Sequence, residues 1–276
     1  MADGAAEGRA DRAWPLGPVR WLLIATAALS AVFLLVPSID LWFSGLFYVE
    51  GAGFPASREA ALIWFRGLSD ALVWAIGLAA ILSVLGRIAL LDWRHLIPVQ
   101  TAAFLGATLL LGPLLLVNGV LKSTWGRPRP VHVVDFGGDL PFVPVWHITD
   151  YCDRNCSFTS GEASTAIWLV ALVLVVPPAW RRGTAVVTLS LAAAFSLNRI
   201  AFGGHFLSDV LLSWTLTLLV IAVAHRVIYV HSPAFLGEAA LATGLSRAGR
   251  RLRGIGSRPP PPPRPDGAPG GDAPPS

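Results

Sequence analysis

Lys122 is the chain's only lysine, and it stands where a long apolar run ends, followed by Arg127 and by Arg129-Pro130 in "LKSTWGRPRP". An ammonium and a guanidinium at such a place can grip a tetrahedral oxyanion, the guanidinium through a two-point fork. Taken alone, the pair also fits two cations reaching from a helix end to a membrane interface. A second cluster, "CSFTSGEAS", has the form of a helix start, with Ser160 as N-cap, Gly161 for close backbone approach and Glu162 in the first turn. Free N–H groups at a helix N-terminus bind phosphate. Glu162 is then either an acid serving chemistry or an acid complementing the dipole.

The third cluster, "NRIAFGGHFLSD", holds Arg199, His205 and Asp209. If a helix begins near His205, the carboxylate four residues on shares its face and can bond one ring nitrogen, which fixes the tautomer and leaves the other nitrogen to attack. Nucleophile, orienter and cation fall within eleven residues. The alternative is a structural histidine whose bonds are satisfied.

These clusters need elements that bring them together. Of the 276 residues, 54% are hydrophobic and 14% charged, with 11 Trp and a mean hydropathy of +0.61, outside the range of soluble domains. The chain is expected to be an all-α, polytopic membrane protein. Six stretches reach the roughly 20 apolar residues a spanning helix takes: 18–38, 60–86, 99–121, 160–178, 183–202 and 209–230. Arg66 and Asp70 interrupt the second and blur its limits. No small-residue cleavage site follows the first, which reads as a retained helix.

Arginine placement orients the bundle, because basic residues stay on the cytoplasmic side. With the N-terminus inside, the inner ends collect Arg9, Arg12, Arg20, Arg87, Arg94, Arg181, Arg182, Arg226 and Arg247 to Arg253. All three clusters then lie at outward helix ends. The net charge of +4 comes largely from these arginines, so it signals topology and anionic headgroups and no nucleic-acid partner. Residues 1–17 are a cytoplasmic segment, 18–230 the membrane domain, and 231–276 a basic and then Pro/Gly-rich, disordered cytoplasmic tail. Cys152 and Cys156 lie on the outward face, where an oxidising compartment favours a disulfide; free thiols or a metal site are the other readings.

The three clusters resemble the signature of the type-2 phosphatidic acid phosphatase superfamily: a lysine, six residues and Arg-Pro; then Pro-Ser-Gly-His; then Ser-Arg, five residues, His, three residues and Asp. Lys122 with Arg129-Pro130 fits the first. Thr159-Ser160-Gly161-Glu162 fits the second at Ser160 and Gly161 and departs at Thr159 and Glu162. Arg199, His205 and Asp209 fit the third, with Asn198 for the serine. The likeness covers roughly residues 60–230. "FGGDLPFVP" followed by "CSFTSGE" is similar to members acting on bacterial envelope lipids such as lipid A.

The resemblance implies a lipid phosphatase of the inner (plasma) membrane, multi-pass, with its site facing the periplasm and needing no metal or other cofactor. His205 would attack phosphorus to form a phosphohistidine, with Asp209 orienting and charge-stabilising it. Lys122, Arg129 and Arg199 would hold the phosphate oxygens, helped by Ser160 and the Gly161 amide. The substrate partner would be a lipid phosphate monoester or diphosphate in the bilayer. The same intermediate can serve a phosphotransferase, and a catalytically silent lipid-phosphate binder is the reading from another class.

Glu162 occupies the position of the family's leaving-group acid, and three readings of it stand. It is a tuned acid; or it is structural, with His132 or His147 of the 122–159 loop giving the proton; or the leaving group departs unprotonated. That loop, with Asp135, Asp139, Asp150 and Asp153, is either a lid or headgroup pocket or a disulfide-braced connector. Arg127 matches no family position and is left as a supporting or headgroup contact.

Overall fold

The protein is represented by a computed structural model that describes residues 17–89 and 97–252. The arginines Arg9, Arg12, Arg94 and Arg253, and the Pro/Gly-rich end of the tail, lie outside the described residues. Among the described residues the chain is helical, and its only ladder pairings are two isolated bridges, Val49 with Gly53 and Val133 with Leu140.

Helix α1 is Gly17–Leu35. The chain turns at Pro37 into the short α2, Ser38–Gly45. Helix α3 is Ala60–Ala89, unbroken through Arg66 and Asp70. The helix carries Arg66 and Asp70 toward its start and Arg87 near its end, which leaves the 16 residues 71–86 between them free of charge. Helix α4 starts at Val99 after Pro98 and runs to Leu109, then widens into an i→i+5 bonded stretch over Leu110–Leu121 around Pro113. The Asn118 side-chain amide donates to the Pro113 carbonyl at 2.7 Å.

Helix α5, Gly161–Trp168, continues after a short break as α6, Ala171–Val175. Helix α7 is Pro178–Ala201, with proline in the first turn where no N–H is needed. Helix α8 is Leu207–His225, prolonged by a wider turn to His231. Helix α9, Glu238–Leu252, follows.

Among the described residues, five helices are long and apolar enough to cross a membrane: Gly17–Leu35, Ala60–Gly86, Val99–Thr124, Pro178–Ala201 and Leu207–His231. Of the six expected spans the fourth, residues 160–178, differs. The apolar segment is Gly161–Val175, and fifteen residues rise only about 22 Å, short of a hydrocarbon core of about 30 Å. It lies inside the bundle, with Ala163, Ala166, Ile167 and Trp168 buried. A helix wrapped by other helices need not match the bilayer, because protein rather than lipid surrounds its ends. The outer helices instead expose large apolar side chains such as Trp21, Trp64 and Trp74, as lipid-facing surfaces do.

Alternating helix directions place the end of α1, the start of α3, the end of the α4 span, the start of α5, the end of α7 and the start of α8 on one side. The opposite side carries α9. In the tail read from the sequence, this basic segment is an ordered helix, tied down because the Glu238 carboxylate accepts from the Val99 and Gln100 N–H groups at 3.1 and 2.7 Å. An acid at that helix start meets both the free donors and the dipole.

Candidate active site

The segment Cys156–Ser160 crosses the site as a fully buried, bent stretch outside any helix. Ser160 caps α5, its hydroxyl accepting from the Ala163 N–H at 3.2 Å. Its own N–H donates to the Asp209 carbonyl at 3.3 Å. Gly161 packs against Asn118 so closely that a Cβ would run into the amide, which gives this glycine a packing role besides any approach to an anion.

His205 is buried, 1% exposed, and its Nδ1 lies 2.8 Å from the Ser157 carbonyl oxygen. A carbonyl only accepts, so Nδ1 carries the proton and Nε2 keeps its lone pair. Burial, and after it the positive charges of Arg199, Lys122 and Arg129, hold the His205 pKa well below 6.5; the Ser157 bond acts in the other direction. A neutral imidazole with a bare Nε2, set among three cations, is equipped to attack an anionic phosphorus centre.

Asp209 does not bond the ring, contrary to the expectation from its four-residue spacing. Its Oδ2 is 4.0 Å from Nδ1. The reason is competition: Ser157 has the ring nitrogen, while the carboxylate accepts from the Ser157 hydroxyl, the Phe206 N–H and Arg127. Ser157 therefore links Asp209 to His205, its hydroxyl on one and its carbonyl on the other.

Arg127 is wholly buried and anchors this arrangement. Its Nε donates to the Val143 carbonyl at 2.7 Å, Nη1 to Ser208 and Asp209, and Nη2 to Asp40 at 2.9 Å. Its face lies 4.5 Å from the Phe206 ring centroid. Burial lowers its pKa, but the charges of Asp209 and Asp40 outweigh that and raise it, so the cation is secure. Asp40 also receives the Ser208 N–H at 2.9 Å and the Ser208 hydroxyl. Between them, Arg127 and Asp40 fix the first turn of α8, on which Asp209 sits.

The candidate phosphate cations are held separately. Lys122 is half-buried at the end of the α4 span. Arg129 donates Nε and Nη2 to the Asn155 carbonyl at 3.0 and 2.6 Å. That carbonyl belongs to the loop closed by Cys152 and Cys156, whose sulfurs are bonded to each other across a Cα–Cα distance of 5.7 Å. Arg199 is 6% exposed, and its Nε, 3.0 Å from Glu162 Oε2, has no hydrogen-bond partner among the described residues. The Thr159 hydroxyl is likewise buried without a partner. A buried hydroxyl without a partner beside a helix N-terminus is what an anion would satisfy.

Glu162 is engaged by Arg66, whose Nε and Nη2 donate to Oε2 and Oε1 at 2.9 and 2.7 Å. His132 and His147 are exposed, with His147 Nδ1 3.1 Å from the Val145 carbonyl oxygen. Burial, then Arg129, lowers the His132 pKa.

The chain matches the PAP2 superfamily over residues 101–232. A lipid A 4'-phosphatase of Rhizobium leguminosarum is 37% identical over 211 residues, which are 71% of this chain and 89% of that protein. The chain belongs to the PAP2 superfamily. A lipid A 4'-phosphatase of Rhizobium etli is 35% identical over 220 residues, 71% of this chain and 81% of that one. A crystal structure of a transmembrane PAP2 type phosphatidylglycerolphosphate phosphatase from Bacillus subtilis aligns over 77% of this chain and 96% of that chain, at 20% identity and a TM-score of 0.48.

Three residues of the site escaped the sequence reading. Asp40 and Arg66 lie upstream of the matched region, and Ser157 stands in the second cluster without a role assigned to it. A signal existed for Arg66, since an ionisable residue inside an apolar run marks a site more often than a boundary. For Asp40 the only hint was a carboxylate directly after the first span, and for Ser157, which acts partly through its backbone carbonyl, there was none.

Proposed function

We propose that this PAP2 superfamily member is a metal-independent lipid phosphatase, removing phosphate from lipid A or a closely related phosphorylated glycolipid at the outward face of the inner membrane. The observation that carries this reading is His205: neutral, proton fixed on Nδ1, Nε2 free, with Lys122, Arg129 and Arg199 close enough to depress its pKa. Nε2 attacks phosphorus, the bond to the lipid oxygen breaks, and water then attacks the phosphohistidine to release phosphate. Lys122, Arg129, Arg199, Ser160 and the Gly161 N–H hold the equatorial oxygens as charge spreads over them.

Asp209 stabilises the imidazolium from one residue away, through Ser157. The names carried by both Rhizobium relatives support the substrate class. Charge stabilisation by three side-chain cations supports a reaction without metal. The arginine distribution supports the outward orientation, with Gly161–Val175 as the inner helix of the membrane domain.

The test is phosphate release by the purified protein in mixed micelles, from lipid A against its dephosphorylated form, with a chelator present. Phosphate should appear with chelator, and His205→Ala should abolish it while the variant stays folded. Turnover that requires an added divalent cation, or that survives in His205→Ala, contradicts the proposal.

A further inference from the structure

The Arg66–Glu162 pair joins two helices at the mouth of this site. Arg66, on α3, is 44% exposed in its side chain and Glu162, on α5, 21%. Arg199, on α7, is 6% exposed, and its Nε lies 3.0 Å from the same Glu162 Oε2. One carboxylate thus sets two guanidinium groups side by side, one in the floor and one at the rim.

Both Glu162 oxygens accept from Arg66 in parallel, at 2.7 and 2.9 Å. This fork-on-fork geometry belongs to the ionised carboxylate, because a protonated one carries a hydroxyl donor where a second acceptor is needed. Glu162 is therefore placed as a counter-ion and not as a proton donor. Only one edge of Arg66 is used, and its Nη1 has no hydrogen-bond partner among the described residues.

Resting on the reading of His205 as nucleophile, we propose that Arg66 is a catalytic cation on the leaving-group side, and that Glu162 is the positioning residue that aims it. In-line displacement puts the departing oxygen opposite the attacking nitrogen. His205 is 1% exposed at the bottom of the site, so that oxygen faces the exposed rim where Arg66 stands. As the Nε2–P bond forms, the P–O bond breaks with both electrons going to oxygen. The Arg66 guanidinium stabilises the resulting alkoxide, which takes its proton from solvent water.

The experiment uses the full-length protein in detergent, with soluble phosphate esters whose leaving groups range from alkyl alcohols to an acidic nitrophenol. Arg66→Gln, Arg66→Lys, Glu162→Gln and the Arg66→Gln/Glu162→Gln double variant are compared, after thermal unfolding shows each is folded. Arg66→Gln should lower kcat by about 10²- to 10³-fold on alkyl esters, the usual effect of losing one donor to a developing oxyanion, and only a few-fold on the nitrophenyl ester. Arg66→Lys should restore part of the alkyl activity. The double variant should be no slower than Arg66→Gln, because residues acting as a unit are not additive.

Equal losses on both ester classes would make Arg66 structural and overturn the proposal. A steep leaving-group dependence that follows Glu162→Gln, and multiplies with Arg66→Gln, would make Glu162 the acid and overturn it too. A wild type whose turnover survives His205→Ala would instead break the underlying reading of the nucleophile.

Discussion

Gly204 separates activity from stability at this site. A Cβ built there would stand 2.6 Å from Arg199 Nη2 and 3.1 Å from its Cζ, whereas ordinary contact begins at 3.4 Å. The difference between 3.4 and 2.6 Å obliges the guanidinium to retreat by at least 0.8 Å. The backbone of Gly204 is not in the left-handed region, so alanine brings no φ strain, and the Arg199 carbonyl at 3.2 Å has to give only a few tenths of an ångström. The far end of a long side chain moves cheaply, and alanine also restricts the unfolded chain by about 0.4–1 kcal/mol. Gly204→Ala should therefore leave the thermal midpoint within a few degrees of wild type. Displacing a catalytic cation by about 1 Å can cost about 10²-fold in rate, and that is the expected fall in kcat for phosphate release. The decisive control is the same substitution in an Arg199→Ala background, where no guanidinium remains to displace and the further cost should vanish. Full activity of Gly204→Ala, or an equal loss in both backgrounds, would refute the assignment of Arg199.

The buried network gives a stability prediction: Arg127→Met leaves Asp40 and Asp209 facing one another without a cation, a loss of about 3–5 kcal/mol that a lowered thermal midpoint in detergent would register. An unchanged midpoint would show the network to be dispensable. For pH, His205 must be neutral to attack and burial beside three cations holds its pKa well below 6.5, so the acid limb of kcat/KM should lie below 6.5; a limb at or above 6.5 contradicts the assignment. The linked stability has a definite sign: below pH 6.5 the unfolded chain binds a proton that the folded chain refuses, so His205 lowers stability as pH falls, and His205→Gln should flatten that slope. Cys152→Ser with Cys156→Ser should free the Asn155 carbonyl that holds Arg129, with about a tenfold loss in kcat/KM if one charge-assisted bond of about 1.5 kcal/mol is weakened. No loss would detach the disulfide loop from the site.

Much of the site was legible because its residue types are costly in an apolar chain. Lys122, Arg129, Arg199, His205 and Asp209 stood out against long hydrophobic runs, and alternating helix directions sufficed to gather them. What spacing misjudged was the hydrogen bond between Asp209 and His205. Four residues along a helix fix a shared face, but they do not say which acceptor wins the ring nitrogen, and a carbonyl 48 residues away in the chain won it. Arg127 was visible but unassigned, since its role depends on Asp40 from α2, a contact across 87 residues that no local pattern encodes. The 160–178 run looked like a spanning helix because composition reports burial, and burial inside protein and burial in lipid select the same side chains.

The central claim is that His205 carries the phosphoryl group in transit. It is tested most directly by mixing enzyme with radiolabelled lipid phosphate, quenching in alkali on the millisecond-to-second scale, and mapping the protein-bound label by mass spectrometry. The account predicts an acid-labile, alkali-stable phosphoryl group on the peptide containing His205, formed and consumed at rates consistent with turnover and missing from His205→Ala. Steady phosphate release with no label on the protein at any quench time, or label on a residue other than His205, would contradict it.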